Sequence, residues 1–272
     1  MVRRWCIPLT TVVIAFGSLL GLAGNASAAV AGHHPATVHG YRPGGLMVRP
    51  AGVGRAKAAG GRTTAESTNW SGYAVTGANG AFTSVSANWT EPTAKCSGNR
   101  RRTDQYSSFW VGLDGYSSDS VEQTGTDADC VGTSPSYYGW YEMYPAYPVN
   151  FSNTVKPGDS MSASVTFSGT ETYTLVLKDS TQGWTQTVTK NQSGLARSSA
   201  EVITEAPSSN TGVLPLADFG TVGYSVSTAN GTSMGSQNPT EIIMVDNSGA
   251  DKDSTSSING SGGFSNTWLR SN

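Results

Sequence analysis

Histidine is missing from most of this 272-residue chain: His33, His34 and His39 are the only three, and none follows residue 65. That excludes a Ser-His-Asp or Cys-His nucleophile from the remainder, and a histidine-held zinc with it. Cysteine is nearly as scarce, at Cys6, Cys96 and Cys130. Charged residues make up 13% of the chain, about half the share usual in globular proteins. Beyond Leu22 no run approaches the roughly 20 apolar residues that span a bilayer. The sequence has no P-loop, no GxGxxG turn and no EF-hand loop. A formal charge of −2 excludes a strongly basic nucleic-acid binder and a highly charged disordered chain. Hydrolytic chemistry is left to carboxylates, amides, hydroxyls or a carboxylate-bound metal. No cofactor and no metal are expected.

The termini of the chain differ in kind. Met1–Arg4 is a basic start, residues 7–22 are a broken apolar stretch, and Ala26-Ser27-Ala28 is a small-residue cleavage signal. Together they predict a secretory signal peptide over 1–28 and an extracellular product; the alternative is an N-terminal membrane anchor. Residues 29–66 are rich in Gly, Pro and Ala, and their first acidic residue is Glu66. This composition predicts a disordered pro-segment that is basic overall. From residue 66 onward the chain has ten basic and nineteen acidic side chains, a formal charge of −9. A cationic segment ahead of an anionic domain suggests an inhibitor held by charge and released in acid, or else a plain spacer. Arg100–Arg102 reads as a solvated loop.

Residues 67–272 read as a single all-β domain, an antiparallel sandwich. Met161–Phe167 and Val85–Trp89 alternate apolar and polar residues, Tyr173, Leu175 and Leu177 share one face, and Glu241–Val245 is a short apolar run. A weaker strand starts at Trp184 and a last one covers Phe264–Leu269. Turn signals such as Ser168-Gly169 and Gln182-Gly183 separate them. Cys96 and Cys130 form an even pair in an oxidising compartment, so a disulfide is expected.

Aromatic and polar residues crowd into three segments: Asn69–Ala74, Trp110–Asp127 and Trp140–Pro145. Such clusters suit a substrate groove, and equally an ordinary sandwich core. Glu142 should share a strand face with Trp140 and Tyr144, opposite Tyr141 and Met143. There its carboxyl is partly desolvated, which raises its pKa and suits it to acid catalysis. A lectin-like carbohydrate-binding sandwich is one reading of these clusters. A glycoside hydrolase using Glu142 and Glu205 is another.

The ordered motifs N-W-S-G-Y-A (from Asn69), W-V-G-L-D-G (from Trp110), Q-T-G-T-D (from Gln123), W-Y-E-M-Y-P (from Trp140) and A-E-V-I-T-E-A-P (from Ala200) resemble the glutamic peptidases, also called eqolisins or the peptidase G1 family. The likeness runs from about Thr68 to Asn272. It implies a sandwich of two large antiparallel sheets and an acid-acting endopeptidase. It also implies a catalytic Gln–Glu pair on neighbouring strands, and polypeptide substrates handled by a monomer. By that resemblance Gln123 is the catalytic amide and Glu205 the catalytic acid, with Glu201 the other candidate. Trp70, Trp110, Asp127, Trp140, Glu142 and Tyr144 match positions that line the family's cleft. Three positions depart from the fungal pattern. Val202 replaces a Trp, Ala206-Pro207-Ser208 replaces an acidic and aromatic stretch, and Tyr138 replaces an Asp. These bear on pocket specificity more than on the chemistry.

Overall fold

A computed structural model describes residues 48, 58–59, 62–98 and 103–272. Residues 1–28, read as a signal peptide, most of the basic segment and Arg100–Arg102 lie outside the described residues. In chain order the main strands are β1 (Arg62–Ser67), β2 (Trp70–Thr76), β3 (Ser84–Thr90), β4 (Ser108–Asp114), β5 (Val121–Val131) and β6 (Ser134–Tyr144). They continue with β7 (Ser160–Phe167), β8 (Thr172–Asp179), β9 (Trp184–Asn191) and β10 (Ser199–Glu205). The last four are β11 (Thr221–Ala229), β12 (Thr240–Met244), β13 (Asp253–Thr255) and β14 (Phe264–Trp268).

These strands form two large sheets. The first runs β1-β12-β2-β10-β4-β5-β6, with short strands Ala58–Ala59 and Val149–Asn150 at its edges. The second runs β9-β8-β7-β3-β11-β14-β13. Pairing between named strands is antiparallel except for β12 with β1, where Glu241 lies beside Thr64 in a parallel ladder. A boundary at 66/67 therefore falls at the end of a strand. The Gly- and Ala-rich composition upstream hides the six residues of β1, whose Thr64, Ala65 and Ser67 are buried.

The sheets face one another across an apolar core. Tyr73, Phe109, Val111, Leu113 and Val202 from the first sheet meet Val85, Met161, Val165, Leu175 and Leu177 from the second. β7 and β8 alternate buried and partly exposed positions, as expected of a sheet with one face in water. β4 and β10 are buried at every position, so the first sheet is covered on both faces. The fold thus carries a second, outward apolar layer, separate from the core, and the candidate site lies in it.

Cys96, in a short 3₁₀ turn, is bonded to Cys130 on β5, 34 residues away. The bond ties the segment after β3 to the far end of a central strand. Replacing both cysteines by serine should lower the unfolding free energy by about 3–4 kcal/mol on the loop-entropy account. Chemical denaturation of the double variant at acid pH measures this.

Candidate active site

Strand parity sends two sets of side chains outward from the first sheet. Trp70, Ala74, Trp110, Val121, Tyr138, Trp140, Ile203 and Ile242 form a cluster distinct from the core, with Tyr144 packed against it. Tyr141 and Met143 belong to the inner layer. Glu142 therefore shares the outward face with Trp140 and Tyr144, as its position in β6 predicts. Trp70 and Trp110 meet edge to face, with ring centroids 4.9 Å apart.

Two glycines make this layer possible. A Cβ on Gly125 would lie 2.2 Å from the Phe109 carbonyl oxygen and 2.5 Å from Trp110 Cβ. A Cβ on Gly112 would lie 2.9 Å from the Trp110 ring. The glycines of the Q-T-G and W-V-G motifs thus give the Trp110 indole room to lie across the sheet.

The polar groups are held by defined hydrogen bonds. Trp110 Nε1–H donates to Glu205 Oε2 at 2.9 Å, and Asn69 Nδ2–H donates to Glu205 Oε1 at 3.2 Å. Gln123 Nε2–H donates to Glu142 Oε2 at 2.8 Å, its direct cross-strand neighbour. Gln123 Oε1 is buried and accepts no hydrogen bond among the described residues. Trp140 Nε1–H donates to Asp127 Oδ1 at 2.6 Å, and the Tyr138 hydroxyl is 2.9 Å from both Asp127 Oδ2 and Asp129 Oδ2. Where the fungal pattern has an acid, Tyr138 supplies a donor between two carboxyls.

Burial pushes the Glu205 carboxyl well above its usual range. The Trp110 donor opposes this, Glu142's charge adds to it, Asn69 opposes it and Asp127 adds to it, in that order of size. Glu201, four residues back on the same face, behaves differently. Burial raises its pKa, the Ser199 hydroxyl opposes this, and the charges that add to the shift are those of Asp114 and Glu122. Glu205, not Glu201, therefore shares the electrostatic surroundings of Glu142 and, through it, of Gln123. Glu205, Gln123, Glu142, Asp127, Trp70, Trp110, Trp140 and Tyr144 all reach one face. The motif reading singles out Trp70 but not its neighbour Asn69. That residue precedes β2 in a bend, so strand alternation does not determine where its side chain points. Among the described residues no group of three or more His, Cys, Asp or Glu side chains is arranged to hold a metal ion.

Comparison with known proteins agrees with this geometry. Residues 68–268 match the peptidase A4 family. The chain belongs to that family, the glutamic peptidases or eqolisins. It is 31% identical over 204 residues to aspergillopepsin-2 of Aspergillus niger, a match covering 66% of this chain and 70% of that protein. The fold is similar to scytalidoglutamic peptidase bound to a peptide-based transition-state analogue. There the TM-score is 0.62 and the identity 27%, over 74% of this chain and 98% of that one. It is also similar to SCP-B, an eqolisin in complex with the tripeptide Ala-Ile-His. That match has a TM-score of 0.59 and 25% identity, over 74% and 98% of the two chains. This glutamic peptidase is accordingly an endopeptidase, a hydrolase of peptide bonds. The lectin and glycosidase readings fall with that membership.

Two predictions follow from the packing around the site. Gly125→Ala should displace Trp110 and lower peptidase kcat/KM at least tenfold, with an unchanged far-ultraviolet circular dichroism spectrum. The second concerns acids buried outside the pair. Burial pushes Glu91 up to about 8, against the donors Thr126 and Trp89, and Glu122 up to about 9, with Asp114's charge adding. Their folded-state pKa values exceed the unfolded ones, so the native state binds more protons between about pH 4.5 and 9. Stability should be greatest in acid and decline as pH rises through that window. Thermal unfolding should show Glu122→Gln flattening the decline; an equally steep decline in the variant would exclude Glu122 as a contributor.

Proposed function

We propose that this glutamic peptidase is made as a secreted pro-enzyme, works in acid, and cleaves peptide bonds with Glu205 and Gln123 as its catalytic pair. The observation that carries the assignment is the division of donors. Glu205 is held by two neutral N–H groups, while Gln123 is anchored through one hydrogen of its amide and keeps a second hydrogen and a carbonyl oxygen.

In this mechanism ionised Glu205 takes a proton from the water that attacks the peptide carbonyl. The Gln123 amide donates to the oxyanion that develops, and its carbonyl oxygen orients the attacking water. Glu205 then passes its proton to the leaving nitrogen as the C–N bond breaks. The Trp110 and Asn69 N–H donors oppose the effect of burial and favour the ionised form that the first half needs, and the carboxyl once protonated is the acid for the second. Trp70, Trp110, Trp140, Tyr144, Asp127 and Glu142 are the family's substrate-cleft positions; all but Tyr144 are fully buried, so a polypeptide must displace part of their cover to reach them. The charges of Glu142 and Asp127 also act on Glu205, both raising its pKa.

Secretion rests on the N-terminal pattern of residues 1–28, and no helix among the described residues is long and apolar enough to cross a membrane. The basic segment up to residue 66 is read as the pro-segment and as a charge-held inhibitor of the acidic domain. One described residue of it, Val48, contacts the domain beside the catalytic acid.

Hydrolysis of a denatured protein from pH 2 to pH 8 tests the reading, with mass spectrometry of the N-terminus. Activity should fall toward neutrality, and the mature chain should start well after Ala28. Gln123→Ala should lower kcat about 100- to 1000-fold, as loss of one oxyanion donor does. Glu205→Gln should remove activity. Near-normal kcat in either variant would refute the pairing.

A further inference from the structure

Val48 is recognised in an unusual way. Its N–H donates to Asn69 Oδ1 at 2.7 Å. Its carbonyl oxygen accepts from the Thr68 backbone N–H at 2.8 Å and from the Ser67 hydroxyl at 2.9 Å. Every one of these bonds goes to main-chain atoms of Val48, and 42% of the residue stays exposed. The contact therefore reads a backbone and ignores the side chain. An extended residue of any type presents the same N–H and C=O, as strand-addition recognition requires.

The receiving groups are fixed from behind. Val245 N–H donates to the Ser67 carbonyl, and the buried Ser67 hydroxyl accepts from the backbone N–H groups of Asn69 and Trp70. A groove of about 600 Å³ borders this segment, lined by Val48, Thr68, Ser209, Val213, Val245 and Lys252 among others. Beside the segment there is room for side chains.

Asn69 has two tasks at once. Its Oδ1 accepts the Val48 N–H, and its Nδ2 donates to Glu205 Oε1. The amide is planar, so fixing one end fixes the other. We propose that Ser67–Asn69 is a receptor for one residue of a substrate's main chain, and that Asn69 is a positioning residue coupling occupancy of that receptor to alignment of the Glu205 carboxyl. The inference rests on Glu205 being the catalytic acid. A bound peptide N–H holds Oδ1 and turns Nδ2 onto Glu205, so the carboxyl is ordered when substrate is present. A substrate residue lacking an N–H, such as proline, is disfavoured at that one position.

A backbone scan tests this. The full chain, activated in acid, is assayed on one quenched fluorescent peptide and on analogues N-methylated at each position in turn. At the position that reaches Asn69, N-methylation should lower kcat/KM at least tenfold. Asn69→Leu should lower kcat at least tenfold itself, and in it the N-methyl penalty at that position should shrink to within twofold. Such non-additivity marks a direct contact and would not follow from a merely structural role. Losing a donor to Glu205 should also move the acid limb of the kcat/KM profile to higher pH. If Asn69→Leu does not fold, Ser67→Ala, which removes the hydroxyl shared by Val48 and Asn69, takes its place with the same expectation. A wild-type scan with no sensitive position, or a penalty undiminished in the variant, overturns the proposal. Glu205→Gln and Gln123→Ala are run alongside: if both are inactive while the penalty persists, this inference alone fails. Should either remain active, the catalytic pair itself is wrong.

Discussion

A buried carboxyl that meets only neutral donors governs the site. Moving an ionised carboxylate out of water costs far more than one hydrogen bond returns, so such a group shifts its pKa instead of staying charged. A neighbouring Arg or Lys would lock Glu205 in its ionised form and remove its ability to hand on a proton. Among the described residues the two ion pairs, Lys95 with Asp218 and Arg270 with Asp246, are partly exposed, and neither includes Glu205. Trp110 and Asn69 instead stabilise the charged form only in part. In the proposed mechanism this leaves the carboxyl able to gain and lose a proton.

The rest of the architecture follows from keeping that face dry. The first sheet must be covered outside as well as inside, so its central strands have no water-facing side. Large indoles fill the outer layer, and Gly112 and Gly125 give Trp110 the clearance to lie flat. The same logic recurs away from the site. Burial raises Glu91, Glu122, Glu201 and Asp253 alike. Each is a group that acid keeps neutral, and each stabilises the fold less as pH rises. Stability therefore leans toward low pH, the direction proposed for the chemistry.

How much of this the sequence discloses depends on where water is. Strands β7 and β8 alternate because their sheet has an exposed face, and Tyr173, Leu175 and Leu177 point inward as their spacing predicts. Strands β4 and β10 carry no alternation, since both of their faces are buried, and only their motifs mark them. The face of Glu142 follows from parity because β6 is regular around it. Asn69 escapes the same rule because it stands in a bend. β1 is hidden by the loose composition before it, and the end of the pro-segment read from that composition lands on the last turn of its ladder.

The choice between Glu201 and Glu205 shows what register can and cannot decide. Read straight across the strands, Glu201 lies beside Gly112, which lies beside Gln123, which lies beside Glu142. Glu205 falls in the row of Ser108 and Asp127. A flat sheet would therefore pair Gln123 with Glu201. Sheets twist, and long or aromatic side chains reach diagonal neighbours two residues along. Trp110 stands opposite Ile203 yet donates to Glu205, and the charge of Glu142 acts on Glu205 while Glu201 answers to Asp114 and Glu122. Trp110, in the row between that of Gln123 and that of Glu205, reaches Glu205 by the slant of its indole across the twist.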